Sequence, residues 1–589
     1  MHRSQRSRSL RTTCGWFTAC ALWLPAAAAQ ALPRAETTEL DPAARRAGVA
    51  QAITAWVADY EADRLGPKGV LHREHGLQPR YAQAARAAQV LGEQAGGALT
   101  HLDALQKLLY HAENDPDEAV GEALLGLAAA GFDKSLVDRD AVILRDLGHW
   151  ALMRTEHKGV WYLLMRAAAG ERLPPWIDPE GEAPEVDPAR RVAALRLLGM
   201  KAAPVFRSTI EGALVALDPR VRLAAVEALE FQRRPESLSV LVRLLGSERH
   251  PVVSQGVVRA LRGVLSQARR TLPADERVRA IRAVMRMFGE AGWRTDMDLI
   301  DFVEEFPDRA AVPPLIDVLA RAAEDDPLQA LVNRRASPLL RMRAHQCLRG
   351  LTGAILPADQ PQQWREFWDR EGPSITVPEQ LPHLRPVADT ASTFFGIPVT
   401  GREIAFVIDT SGSMDEAFGL ATAPPRAQRQ RDPQLPSRLD AAKEQLLLCV
   451  QVMDPVSRYH LLTFADGVHT WSRKAVPPNE RATRSLVDLL SRLGAGGGTN
   501  LYEALVQALE LDELHFGQEG KTAIDELFLL SDGEPTEGAI KDPEEILQMV
   551  AYANRYLHVR INTVFTGKGR GADFLRRLAE QNDGVFVQR

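Results

Sequence analysis

Along residues 43–370 apolar positions recur every three or four residues, the period of helices that bury one face. In the clearest unit, Asp218-Pro219 precedes Val221, Ala225 and Leu229. Asp218 suits a helix cap, Pro219 suits the first turn, and the three apolar residues share a face. Asp187-Pro188 opens a similar unit 31 residues earlier, His250-Pro251 opens another 32 residues later, and Asp275 to Ile281 is a looser fourth copy. Helical repeats of this length predict a solenoid, in which each unit buries its face against a neighbour. From Arg402 the period changes. Ile404 to Ile408, Tyr459 to Phe464, Leu527 to Leu530, Val559 to Phe565 and Val585 to Val587 read as strands, with a short one around 468–471. Helices are expected at 438–453, 480–493, 501–511, 543–556 and 572–581. This alternation predicts an α/β domain, a doubly wound and mostly parallel sheet covered by helices on both faces.

The capped Asp-Pro openings give residues 185–290 a good resemblance to HEAT repeats, weaker on either side, which implies a scaffold with a curved protein-binding surface. Trp364 and Trp368, four apart on one helical face, are expected to cover the open end of the solenoid core. Pro373, Pro378, Pro382 and Pro386 then interrupt any helix. The expected domains are a signal peptide at 1–29, a HEAT-like region at 43–370, a linker at 371–401 and the α/β domain at 402–589.

At 589 residues the chain is too long for one core. Its formal net charge is −6, and no basic patch with interleaved aromatics appears, so a nucleic-acid partner is not expected. The first 29 residues carry Arg3, Arg6, Arg8 and Arg11, an apolar stretch from Cys14 to Ala29, and the small residues Ala27, Ala28 and Ala29 before Gln30. That is the plan of an export signal, and it predicts a periplasmic or extracellular protein with lipid attachment at Cys20 as the alternative. No later run has the length and apolarity of an integral membrane span. Beyond the leader only Cys347 and Cys449 remain, and two buried, unpaired thiols are expected. Nothing in the pattern specifies an oligomeric state.

The candidate chemistry lies where strands end. Asp409-Thr410-Ser411-Gly412-Ser413 follows the first buried strand, and the ends of strands in open α/β sheets are where ligands bind. Gly496-Gly497-Gly498-Thr499-Asn500 and Leu530-Ser531-Asp532-Gly533 supply further oxygens. Gly412 permits a tight turn that aims Ser411 and Ser413 at one centre, Thr499 adds a hydroxyl, and Asp409 and Asp532 supply charge. An oxygen-rich set without His or Cys suits one hard cation, Mg2+ first, with Ca2+ or Mn2+ as alternatives.

Those three loops, in that order between strands, closely resemble the von Willebrand factor type A family over about residues 402–589. The resemblance implies a metal-ion-dependent adhesion site formed by Asp409, Ser411, Ser413, Thr499 and Asp532, with a protein partner's Asp or Glu completing the metal. One departure is the long segment Asp415 to Ser437, with Pro424, Pro425, Pro433 and Pro436 and with Arg426, Arg429 and Arg431 beside the expected rim. It reads as a solvated insertion or as a partner-selecting lid. Asp466 reads as a loop or capping residue near the site.

Enzymatic readings lack parts. Gly520-Lys521-Thr522 has His515 where a phosphate-binding loop needs glycine. His72-Arg73-Glu74-His75 lacks the four-residue spacing of a helical zinc pair. Ser411 has no assigned histidine base. The expectation is a non-enzymatic exported binding or scaffold protein. Its alternatives are an assembly or chaperone-like subunit that recruits a catalytic partner and, least favoured, a metal-dependent hydrolase.

Overall fold

The computed structural model describes parts of 124–171 and residues 187–322, 337–382, 392–418 and 436–589 apart from 473, 568 and 570. The leader with Cys20, the 72–75 motif, Pro386 and the arginines at 426, 429 and 431 lie outside the described residues. The chain divides into two compact units, one ending at Gln232 and one running from Arg233 to Arg589, with residues 135–137 belonging to the second.

The first unit is helical. Helices α1 (Lys158–Ala169), α2 (Pro188–Lys201), α3 (Arg207–Ala213) and α4 (Pro219–Gln232) pack through Leu163, Leu164, Leu195, Leu198 and Ile210. Asp187 caps α2 by accepting from Ala189 N at 3.1 Å, and Asp218 accepts from Arg220 N at 2.8 Å at the start of α4. Val221, Ala225 and Leu229 are fully buried, as are Leu223, Ala224, Val226 and Ala228, so α4 buries more than one stripe. Gly199 lets α2 and α4 approach closely, since a Cβ there would lie 2.5 Å from Ala228 Cα.

The second unit opens with α5 (Leu238–Ser247), α6 (Pro251–Gln267), α7 (Ala274–Met285), α8 (Trp293–Glu305), α9 (Val312–Ala322), α10 (Pro338–Thr352) and α11 (Pro361–Glu371). At α6 the cap differs from the repeat plan. Glu248 Oε1 accepts from both Arg249 N and His250 N at 2.9 Å, and the His250 side chain makes no capping bond. Trp364 on α11 is fully buried and donates Nε1 to Pro357 O at 2.8 Å, whereas Trp368 is half-buried beneath the Arg309 guanidinium. Cys347 and Cys449 are buried free thiols.

A two-stranded hairpin, β1 (Thr393–Phe394) and β2 (Ile397–Pro398), leads into the sheet. The hairpin belongs to the α/β core, where the Phe394 ring meets Phe406 and Phe528 edge-on at 5.3 and 5.8 Å. The sheet contains β3 (Glu403–Asp409), β4 (Arg458–Phe464), β5 (Val468–Thr470), β6 (Glu526–Ser531), β7 (Arg560–Phe565) and β8 (Phe586–Gln588). Their order is β5-β4-β3-β6-β7-β8, parallel except for the three-residue edge strand β5. Five helices accompany them: α12 (Arg438–Gln451), α13 (Glu480–Arg492), α14 (Leu501–Ala508), α15 (Pro543–Leu557) and α16 (Gly571–Glu580). Ile404, Phe406 and Ile408 pack with Leu446 of α12 and Leu486 of α13, while the alternate residues Ala405 and Val407 are equally buried on the opposite face. This is an α-helical repeat region joined to a mostly parallel α/β domain.

Helices α6, α8 and α10 grip the edge of the sheet where its parallel strands begin. Arg294 donates Nε to Leu557 O at 3.0 Å and Nη2 to Thr522 O at 2.8 Å, and Arg259 donates Nη1 to Arg555 O at 3.0 Å. These cations sit on the carbonyl end of α15, where the helix dipole is negative. Ser337 donates to Asp525 Oδ2 at 2.8 Å, just before β6. The strand ends at the opposite edge carry the candidate site.

Candidate functional site

Strand order reverses at β3, whose neighbours β4 and β6 leave it in opposite directions, so a crevice opens beyond the ends of β3 and β6. Asp409 ends β3 and Asp532 follows β6. Ser411 N donates to Asp409 Oδ1 at 2.7 Å, and Ser531 Oγ donates to Asp409 Oδ2 at 2.5 Å. Ser411 Oγ and Ser413 Oγ lie 3.2 Å apart, and Ser413 Oγ donates to Asp532 Oδ1 at 2.7 Å. One chain of hydrogen bonds therefore joins Asp409, Ser411, Ser413 and Asp532. Burial pushes the Asp409 carboxyl up to about 6; hydrogen bonds from Ser411 and Ser531 oppose the shift and the Asp532 charge adds to it.

Thr499 stands outside that chain of bonds among the described residues. Its backbone N–H donates to Thr536 Oγ1 at 2.9 Å, and its carbonyl accepts from Thr536 N at 3.0 Å. Its loop still touches the first one, with Gly412 N donating to Gly497 O at 3.0 Å and Gly496 N to Thr410 O at 2.8 Å. Asp466 shapes this loop by accepting Gly498 N on Oδ1 at 2.6 Å and Asn500 Nδ2 on its carbonyl at 2.9 Å.

The expected cofactor requires correction. Among the described residues no group of three or more His, Cys, Asp or Glu side chains is placed to hold a metal ion. The residues present do not fit Mg2+, Ca2+ or Mn2+, because their anionic oxygens are engaged by the protein. Asp409 is satisfied by Ser411 and Ser531, and Asp532 faces Arg438, whose Nη1 lies 2.6 Å from Asp532 Oδ2. A guanidinium stands against the carboxylate where the sequence suggested a divalent cation.

Arg438 is the member of this cluster that the sequence pattern hid. It is the first residue of α12, whose cap is Ser437 in a reciprocal capping box with Asp440. A cation in the first turn opposes the helix dipole, and that anomaly was the available signal. The arginine is brought to the site by the antiparallel pairing of Ala417 with Ser437, which closes the base of the insertion. Glu416 Oε2 then meets Arg438 Nη2 at 2.8 Å.

Comparison with known proteins agrees with this architecture. Residues 404–534 match the von Willebrand factor type A domain, and residues 183–262 match HEAT repeats. Inter-alpha-trypsin inhibitor heavy chain H1 of Mesocricetus auratus is 28% identical over 185 residues, covering 31% of this chain and 18% of that protein. Heavy chain H3 of Rattus norvegicus is 29% identical over 201 residues, 33% of this chain and 20% of that one. The chain thus spans about a fifth of the length of these curated relatives. Among solved structures, a von Willebrand factor type A protein from Catenulispora acidiphila aligns with TM-score 0.24 and 19% identity, over 32% of this chain and 38% of that one. The PilB minor pilin from Streptococcus sanguinis aligns with TM-score 0.23 and 16% identity, over 33% and 59%. The chain carries a von Willebrand factor type A region at residues 404–534 together with a HEAT-repeat region at residues 183–262.

Proposed function

We propose that this chain is a non-enzymatic, exported binding and assembly scaffold that docks a protein partner on the loop face at the ends of β3, β4 and β6. A von Willebrand factor type A region beside HEAT repeats is an architecture typical of adhesion and scaffold proteins. One observation carries the reading. The hydrogen-bonded cluster of Asp409, Ser411, Ser413 and Asp532 lies at the edge of the sheet opposite the one gripped by α6, α8 and α10. Among the described residues the contacts of α6, α8 and α10 with the α/β domain fall at the edge where the strands begin and not on those loops. Among the described residues no helix is long and apolar enough to cross a membrane.

Site-specific photo-crosslinking on the full chain tests this. A crosslinking side chain replaces exposed Glu534, on the loop after Asp532, or exposed Glu580, at the far end of α16. The expected result is one dominant protein adduct from position 534 and none of it from 580. Equal labelling from both positions would reject the loop face as the docking surface.

A further inference from the structure

The disagreement at the cation position points further, on the premise that the loop face docks a protein. The Arg438 side chain is 7% exposed. Nη1 is fixed from below, donating to Asp532 Oδ2 at 2.6 Å and to Ser413 O at 3.2 Å. The Asp532 side chain is fully buried, so this half of the guanidinium is built into the fold. The other half is different. Among the described residues Nη2 meets only one oxygen of Glu416, at 2.8 Å, and the Glu416 side chain is 65% exposed. Nε, beside Nη2 on one edge of the planar group, is buried and has no hydrogen-bond partner among the described residues. An edge suited to a two-oxygen carboxylate is thus occupied by one oxygen of a solvent-facing side chain.

We propose that Arg438 is a metal-independent carboxylate-binding centre in which Glu416 is the internal occupant, displaced when a partner's Asp or Glu bridges Nη2 and Nε. The backbone of Glu416 need not move, since its N–H donates to Ser413 O at 3.1 Å and its carbonyl accepts from Arg438 N at 2.9 Å. Only the exposed side chain swings away. The incoming carboxylate fills the donor that Glu416 leaves empty, and a bidentate charge-assisted pair is the stronger geometry. The exchange leaves the local charge unchanged, replacing one carboxylate by another beside Asp532. A phosphate dianion would add charge next to Asp532 and Asp409, so the centre selects carboxylate over phosphate.

The test uses the full chain in EDTA. Saturation-transfer NMR follows N-acetyl-glutamate methylamide, its glutamine counterpart and inorganic phosphate. Weak binding of the glutamate compound to wild type is expected, with none of the glutamine compound. Glu416→Ala removes the occupant and should tighten binding at least fivefold; this exposed position keeps the experiment informative whatever happens to the core. Arg438→Lys retains a cation for Asp532 but lacks the two-donor edge, and binding should be lost. The proposal is overturned if Glu416→Ala shows no gain, if Arg438→Lys binds as wild type does, if phosphate or the glutamine compound binds equally, or if EDTA abolishes binding. Crosslinking from position 534 separates the two readings: a partner adduct that persists in Arg438→Lys would keep the docking face and discard the carboxylate centre.

Discussion

At the scale of single residues, the site is decided by how its two carboxylates are neutralised. Asp532 is buried against Arg438, and removing one partner of such a pair strands the other charge. Arg438→Met is expected to cost about 3–5 kcal/mol in urea unfolding. Glu416→Gln should cost less than about 1 kcal/mol, because its ion pair is open to solvent. Equal costs would show that both halves of the guanidinium are structural. Asp525 gives a separate test at the other edge of the sheet. Burial lifts its carboxyl from 3.8 to about 7, and nearby Glu526 adds to the lift. Hydrogen bonds from Arg402 N, Glu403 N and Ser337 Oγ hold it down. A folded-state value raised above the unfolded one means that the native state holds the proton more tightly. Its contribution to stability is therefore full below about pH 4 and lost as pH rises through about 7. Asp525→Asn keeps an acceptor for the two backbone donors and should flatten that part of the stability–pH curve; an unchanged slope would assign the dependence elsewhere.

At the scale of elements, strands and helices of the α/β domain were legible because burial and period agree there. The expected helix at 438–453 is observed at Arg438–Gln451, and the expected strand at 559–565 at Arg560–Phe565. The meeting of Asp409, Ser411, Ser413 and Asp532 was legible too, since loops that follow adjacent parallel strands must converge. Arg438 was not. Its one local signal is a cation in the first turn of a helix, and its chemistry depends on the pairing of Ala417 with Ser437 across a long insertion, which no local period records. The HEAT-like region was legible in its caps at Asp187 and Asp218 but not at His250, whose side chain makes no capping bond. Two elements offer tests. Arg294→Ala leaves the carbonyls of Leu557 and Thr522 without their donor, and a loss of about 1–3 kcal/mol is expected by calorimetry. Gly567, just after β7, is packed so closely that a Cβ would lie 1.9 Å from Asp532 O. Gly567→Ala should destabilise the domain by about 1–3 kcal/mol by displacing the Asp532 loop, measured in the same way.

At the scale of the whole molecule, the sheet and helices α5–α11 form one compact unit. A fragment covering 392–589 loses Ser337, Arg294 and Arg259 from the edge where the strands begin, and it should melt below a fragment covering 233–589. Identical melting temperatures would show that the helical layer contributes no stability. The leader carries its own test: terminal sequencing of exported protein should find a mature start near Gln30, and retention of Arg3 to Arg11 would count against cleavage there. The sheet also has a consequence for self-association. Both outermost strands, β5 and β8, are only three residues long. Among the described residues neither offers a long ladder for a second chain to zip onto, and short outer strands are one way a sheet blunts edge-to-edge pairing.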